Sequence, residues 1–82
     1  SRVGLMLDLS GSMAALYQTG VVQSVVERIL PIAAEFDDNA SLDVWFFADH
    51  FYRSMPATEE NYLTYIQDTV FRKTEVRKQA GN

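Results

Sequence analysis

The sequence predicts an α/β fold, the first half of a doubly wound, Rossmann-like sheet, and three observations predict it. Val3 to Leu9 is a near-continuous apolar run, the pattern of a strand buried on both faces. Val21 to Phe36 repeats apolar residues at i, i+3 and i+4, the signature of an amphipathic helix. Leu42 to Ala48 alternates with the two-residue period of a half-buried strand. A strand, a helix and a second strand in that order imply a right-handed parallel β-α-β unit. A short antiparallel edge strand and a final helix follow it.

The first strand is expected to end near Leu9, and Gly11 then permits a tight turn. A short helical turn over Met13 to Tyr17 is broken by Gly20. In the main helix Val21, Val22, Val25, Val26, Ile29, Ile32, Ala33 and Phe36 form the apolar stripe. Gln23, Ser24, Glu27, Arg28 and Glu35 form the polar side. Pro31 removes a backbone donor, so a kink near Glu27–Leu30 is expected, or a split into two shorter helices.

Asp37-Asp38-Asn39 is a turn signal. In the second strand Leu42, Val44, Phe46 and Ala48 point one way, and Asp43, Trp45 and Phe47 the other. Asp49-His50 reads as a tight turn. Phe51 to Met55 returns as the edge strand, ended by Pro56. Thr58 is a candidate N-cap for the last helix, with Glu59 and Glu60 in its first turn. Tyr62, Leu63, Tyr65, Ile66 and Val70 give that helix its apolar stripe.

Composition narrows the function classes. The 82 residues are 48% hydrophobic and 22% charged, a globular balance. A chain of this size buries only roughly 60–65% of its unfolded surface. Arg2 leads straight into a strand and Lys73 to Asn82 is polar, so the chain is expected to be part of a longer protein. The net charge of −4 argues against a nucleic-acid partner. Arg72, Lys73, Arg77 and Lys78 are the one basic concentration and read as a solvated face. With no cysteine, thiolate metal sites and disulfides are excluded, which suits a cytoplasmic protein. No run of 18 apolar residues is present, so no membrane span is expected.

The chemistry concentrates in Asp8-Leu9-Ser10-Gly11-Ser12. Oxygen-bearing side chains at i, i+2 and i+4 emerge at the end of a strand, where open α/β sheets place ligand sites. Short side chains keep their oxygens near the backbone, so one loop can aim them at one point. A hard cation accepts hydroxyls and waters beside a carboxylate. Two other readings stand beside this one. In a purely structural domain Ser10 or Ser12 would cap the next helix and Asp8 would hydrogen-bond loop amides. Asp8 could instead serve metal-assisted phosphoryl transfer as a nucleophile. Aspartate-nucleophile phosphatases place an acidic aspartate two residues on, where this chain has Ser10. A phosphate-binding loop lacks its lysine, and a serine nucleophile elbow lacks its flanking glycines. His50 reads as an exposed turn residue. Asp37, Asp38 and Asn39 lack the rest of a calcium loop. Trp45, Phe46, Phe47, Phe51 and Tyr52 read as sheet packing rather than a base-stacking surface.

The run from Val3 to Met13, with Asp-Leu-Ser-Gly-Ser after the strand, resembles the first strand and metal loop of a von Willebrand factor A (VWA) domain. Val22-Gln23, Val25 to Pro31, Phe36-Asp37-Asp38, Leu42 to Phe47, Asn61-Tyr62 and Tyr65-Ile66 resemble the VWA domains of bacterial tellurium-resistance and stress-response proteins. The resemblance spans residues 1–82 and covers the first half of such a domain, with the remainder expected beyond Asn82.

It implies a metal-ion-dependent adhesion site holding Mg²⁺, or Mn²⁺ or Ca²⁺. Ser10 and Ser12 would coordinate directly and Asp8 through water. A threonine and an aspartate from later loops would complete the set beyond Asn82, so the site is incomplete here. Thr58, Thr64, Thr69 and Thr74 are not assigned that role. The implied function is metal-dependent binding of a protein partner that supplies a carboxylate, rather than catalysis.

Overall fold

The computed structural model describes residues 3–36 and 38–72. Its elements are β1 (Val3–Asp8), a 3-10 turn (Gly11–Met13), α1 (Ala14–Gln18), α2 (Val21–Ala34), β2 (Ser41–Phe47), β3 (Phe51–Arg53) and β4 (Ala57–Thr58). A final helix follows, wound as 3-10 over Tyr62–Thr64 and as π over Gln67–Phe71. The architecture is α/β and contains the expected parallel β1–β2 unit.

β2 is the hub of the sheet. It pairs in parallel with β1, from Val3 opposite Leu42 to Asp8 opposite Phe47. It pairs antiparallel with β3, Phe47 facing Phe51, and at its start with β4, Leu42 facing Ala57. The alternation in β2 is as the sequence predicts. Leu42, Val44 and Phe46 are buried and Asp43, Trp45 and Phe47 are not. The buried set meets Tyr17, Val22, Val26, Leu30, Ala33, Tyr65, Ile66 and Val70 in one core on the helical side.

Several expectations are corrected. β1 was expected to be buried on both faces, yet its pattern alternates and Met6 is 56% exposed. An apolar run reports what a strand can bury, not what covers it. Among the described residues the helices pack on one face, and β1 ends the strand order. On the outer face the Arg53 guanidinium lies 5.3 Å over the Trp45 ring, and Phe47 and Phe51 stack at 6.0 Å.

α2 is one helix with Pro31 inside it on an exposed side, not two shorter helices. Its core stripe is Val22, Val26, Leu30 and Ala33, while Val21, Val25, Ile32 and Phe36 are exposed. Thr58 is not a helix cap: it lies in β4, which the sequence did not reveal. Asn61 closes that turn instead, its Oδ1 accepting from Thr58 N at 2.8 Å and its Nδ2 donating to the Pro56 carbonyl at 3.1 Å. Pro56 and Met55 lie beyond β3, which ends at Arg53. Asp37 and the basic residues Lys73, Arg77 and Lys78 lie outside the described residues, as does Thr74. Arg72 lies 3.7 Å from Asp68.

Gln23 explains the uneven winding of the last helix. An α-helix would bond Ile66 N to the Tyr62 carbonyl, four residues back. The Gln23 amide occupies that gap. Its Nε2 donates to Tyr62 O at 2.6 Å and its Oε1 accepts from Ile66 N at 2.9 Å. A side chain inserted into the ladder forces a local change of pitch. The insertion also ties this helix to α2, so both pack on the same side of β2. Buried Thr69 returns its hydroxyl to the Tyr65 carbonyl at 2.9 Å.

Candidate metal centre

The sheet delivers Asp8 to the loop. One residue past β1, Leu9 N still donates to the Phe47 carbonyl at 2.8 Å, and the Leu9 side chain is fully buried. The chain then leaves the sheet. Ser10 is extended (φ −59°, ψ 156°), and Met13 N donates to the Ser10 carbonyl at 2.9 Å, which winds the 3-10 turn. Asp8 sits beneath this turn. Its Oδ1 accepts from Ser10 N at 2.7 Å. Its carbonyl accepts from the Tyr17 hydroxyl at 2.7 Å. Burial, and then the Asp8 charge, raise the Tyr17 pKa, so the phenol keeps its proton as a donor.

Asp8, Ser10 and Ser12 are brought together. The two serine hydroxyls lie 3.2 Å apart on the open side of the loop. Neither caps a helix. Ser10 makes no side-chain cap bond to the 3-10 turn, and α1 starts after Met13, also without one. The capping half of the structural reading therefore fails, while its other half holds, since Asp8 accepts from a loop amide at Ser10 N. The serine spacing also suits a shared cation: adjacent octahedral ligands at about 2.1 Å stand roughly 3.0 Å apart. Among the described residues no three His, Asp or Glu side chains gather as a metal-binding group. Any cation here would depend on hydroxyl oxygens, with Asp8 as the nearby charge. The donor set is all oxygen, as hard cations require.

Comparison with known proteins identifies the fold family. The family described as the vWA found in the TerF C terminus matches residues 1–82. The chain belongs to this TerF-type vWA family. A curated protein of Bacillus subtilis (strain 168), "Uncharacterized protein YcbR", is 44% identical over 82 residues, which is 100% of this chain and 34% of that protein. The vWA chain thus spans about a third of the length of this relative. No solved structure matches significantly.

Other candidate residues of the vWA chain make contacts of their own. His50 is exposed in the turn after β2, its ring edge-on to Tyr52 at 6.5 Å. Thr64 donates to Asp68 Oδ2 at 2.8 Å. Among the described residues no helix is long and apolar enough to cross a membrane. Sequence reasoning missed Tyr17 and Gln23. Tyr17 sits at the end of a short predicted turn, and Gln23 on the polar side of the main helix. Nothing local distinguishes either, because their partners lie nine and about forty residues away.

Proposed function

We propose that the vWA chain carries part of a Mg²⁺ site through which the protein holds a carboxylate of a partner protein. The observation that carries this reading is the pair of serine hydroxyls 3.2 Å apart, free of capping duty and beside Asp8. Ser10 and Ser12 would hold the cation directly, with Asp8 acting through water. Mn²⁺ or Ca²⁺ could occupy the same oxygens. The bound cation supplies an electrophilic position that an acidic side chain can fill. The remaining positions around the cation would be filled by water or by other oxygen groups of the protein. Binding rather than catalysis is the role proposed, in a cytoplasmic setting tied to tellurium resistance or stress response through the TerF-type family.

Titration calorimetry of the full-length protein with MgCl₂ and MnCl₂ tests this. Binding should be lost in Ser10→Ala while the circular dichroism spectrum is kept. Unchanged affinity in that variant would overturn the proposal.

A further inference from the structure

We infer that Tyr17 is the positioning residue of the Asp8–Ser12 loop, its hydroxyl fixing the peptide plane from which the serines are aimed. The inference rests on the metal-binding reading above. The Asp8–Leu9 peptide is gripped at both polar ends. Its carbonyl accepts from the Tyr17 hydroxyl at 2.7 Å, and its N–H donates to the Phe47 carbonyl at 2.8 Å. One grip comes from α1, the other from β2. The ring that carries the hydroxyl is 3% exposed, so packing holds it in place.

The consequence runs along the chain. With that peptide plane fixed, the Asp8 carboxylate reaches Ser10 N at 2.7 Å, and this bond sets where the Ser10 hydroxyl emerges relative to Ser12. Without the phenol the Asp8 carbonyl loses its partner from α1, and the plane can rotate about the remaining Leu9–Phe47 bond. The serine hydroxyls would then leave their shared orientation although the core ring is still present. Groups that orient metal ligands from behind typically change affinity 10–100-fold when removed.

The test compares Tyr17→Phe with Tyr65→Phe in the full-length protein. Each variant removes one hydroxyl from a buried tyrosine, but the Tyr65 hydroxyl bonds Ser54 and the Met55 carbonyl, away from the loop. Mn²⁺ is the probe, followed by calorimetry and by its electron paramagnetic resonance spectrum. Tyr17→Phe should weaken Mn²⁺ binding about tenfold and change the spectrum of the bound ion. Tyr65→Phe should leave both within twofold of the parent. In metal-free protein, hydrogen exchange at Ser10 should quicken about tenfold in Tyr17→Phe alone. If Ser10→Ala abolishes Mn²⁺ binding and Tyr17→Phe does not weaken it, the positioning role is refuted and the metal site stands. If Ser10→Ala binds Mn²⁺ like the parent, the metal site itself fails. Unchanged Ser10 exchange in Tyr17→Phe overturns the positioning role whatever the metal does.

Discussion

Replacing Gln23 tests how α2 and the last helix are joined. The half-buried amide makes two bonds to backbone groups, with Tyr62 O at 2.6 Å and Ile66 N at 2.9 Å, and a third to Glu27 Oε2 at 2.9 Å. Each such bond contributes about 0.5–1.5 kcal/mol net. Gln23→Leu keeps most of the volume and removes both backbone bonds, a loss of about 2 kcal/mol, while the half-exposed Glu27 carboxylate regains its third bond from water. The freed groups are an i and i−4 pair, so they can bond each other and return about 1 kcal/mol. The expected net cost is therefore about 1 kcal/mol. Gln23→Glu should cost more, about 2–3 kcal/mol at neutral pH. Its carboxylate can accept from Ile66 N, but it cannot donate to Tyr62 O and it confronts Glu27.

Urea unfolding of the full-length protein measures both, with an unchanged slope confirming that only stability moved. Exchange at the Ile66 amide should stay slow in Gln23→Leu, because the helix closes on itself. Two variants within about 0.3 kcal/mol of the parent would refute the inserted-amide account, since surface changes fall in that range. Equal costs for Leu and Glu would refute the charge argument.

Three further outcomes are expected. Gly20 enters α2 at φ +85° with open space around it, so Gly20→Ala should cost roughly 1–2 kcal/mol from backbone conformation alone, read as a lower urea midpoint. Phe46 is fully buried in β2 between β1 and β3, and Phe46→Ala should cost about 3–5 kcal/mol in the same assay. Burial pushes the Tyr65 pKa up to about 12, against its hydrogen bond with Ser54, which lowers it. Its unfolded value is near 10, so its contribution is whole below pH 10 and is lost as pH rises from about 10 to 12. Tyr65→Phe should flatten that alkaline limb, measured as midpoint against pH.

The parts of this protein that the sequence determined are those written in short periods. A two-residue alternation set which β2 side chains enter the core, and a period near 3.6 set α2 as a helix against them. The Asp8, Ser10 and Ser12 spacing located the candidate site, because three oxygens on five consecutive residues cannot be far apart. The tertiary structure decided what depends on partners distant in the chain. It made Ala57–Thr58 a strand, since two residues become β only when β2 offers an edge to pair with. It left Met6 on an uncovered face among the described residues, since coverage belongs to neighbours and not to the strand. It drew Gln23 into another helix and set the Tyr17 hydroxyl under Asp8. Both are polar groups on partly or fully buried side chains, and such groups take whatever backbone partner the fold brings within reach.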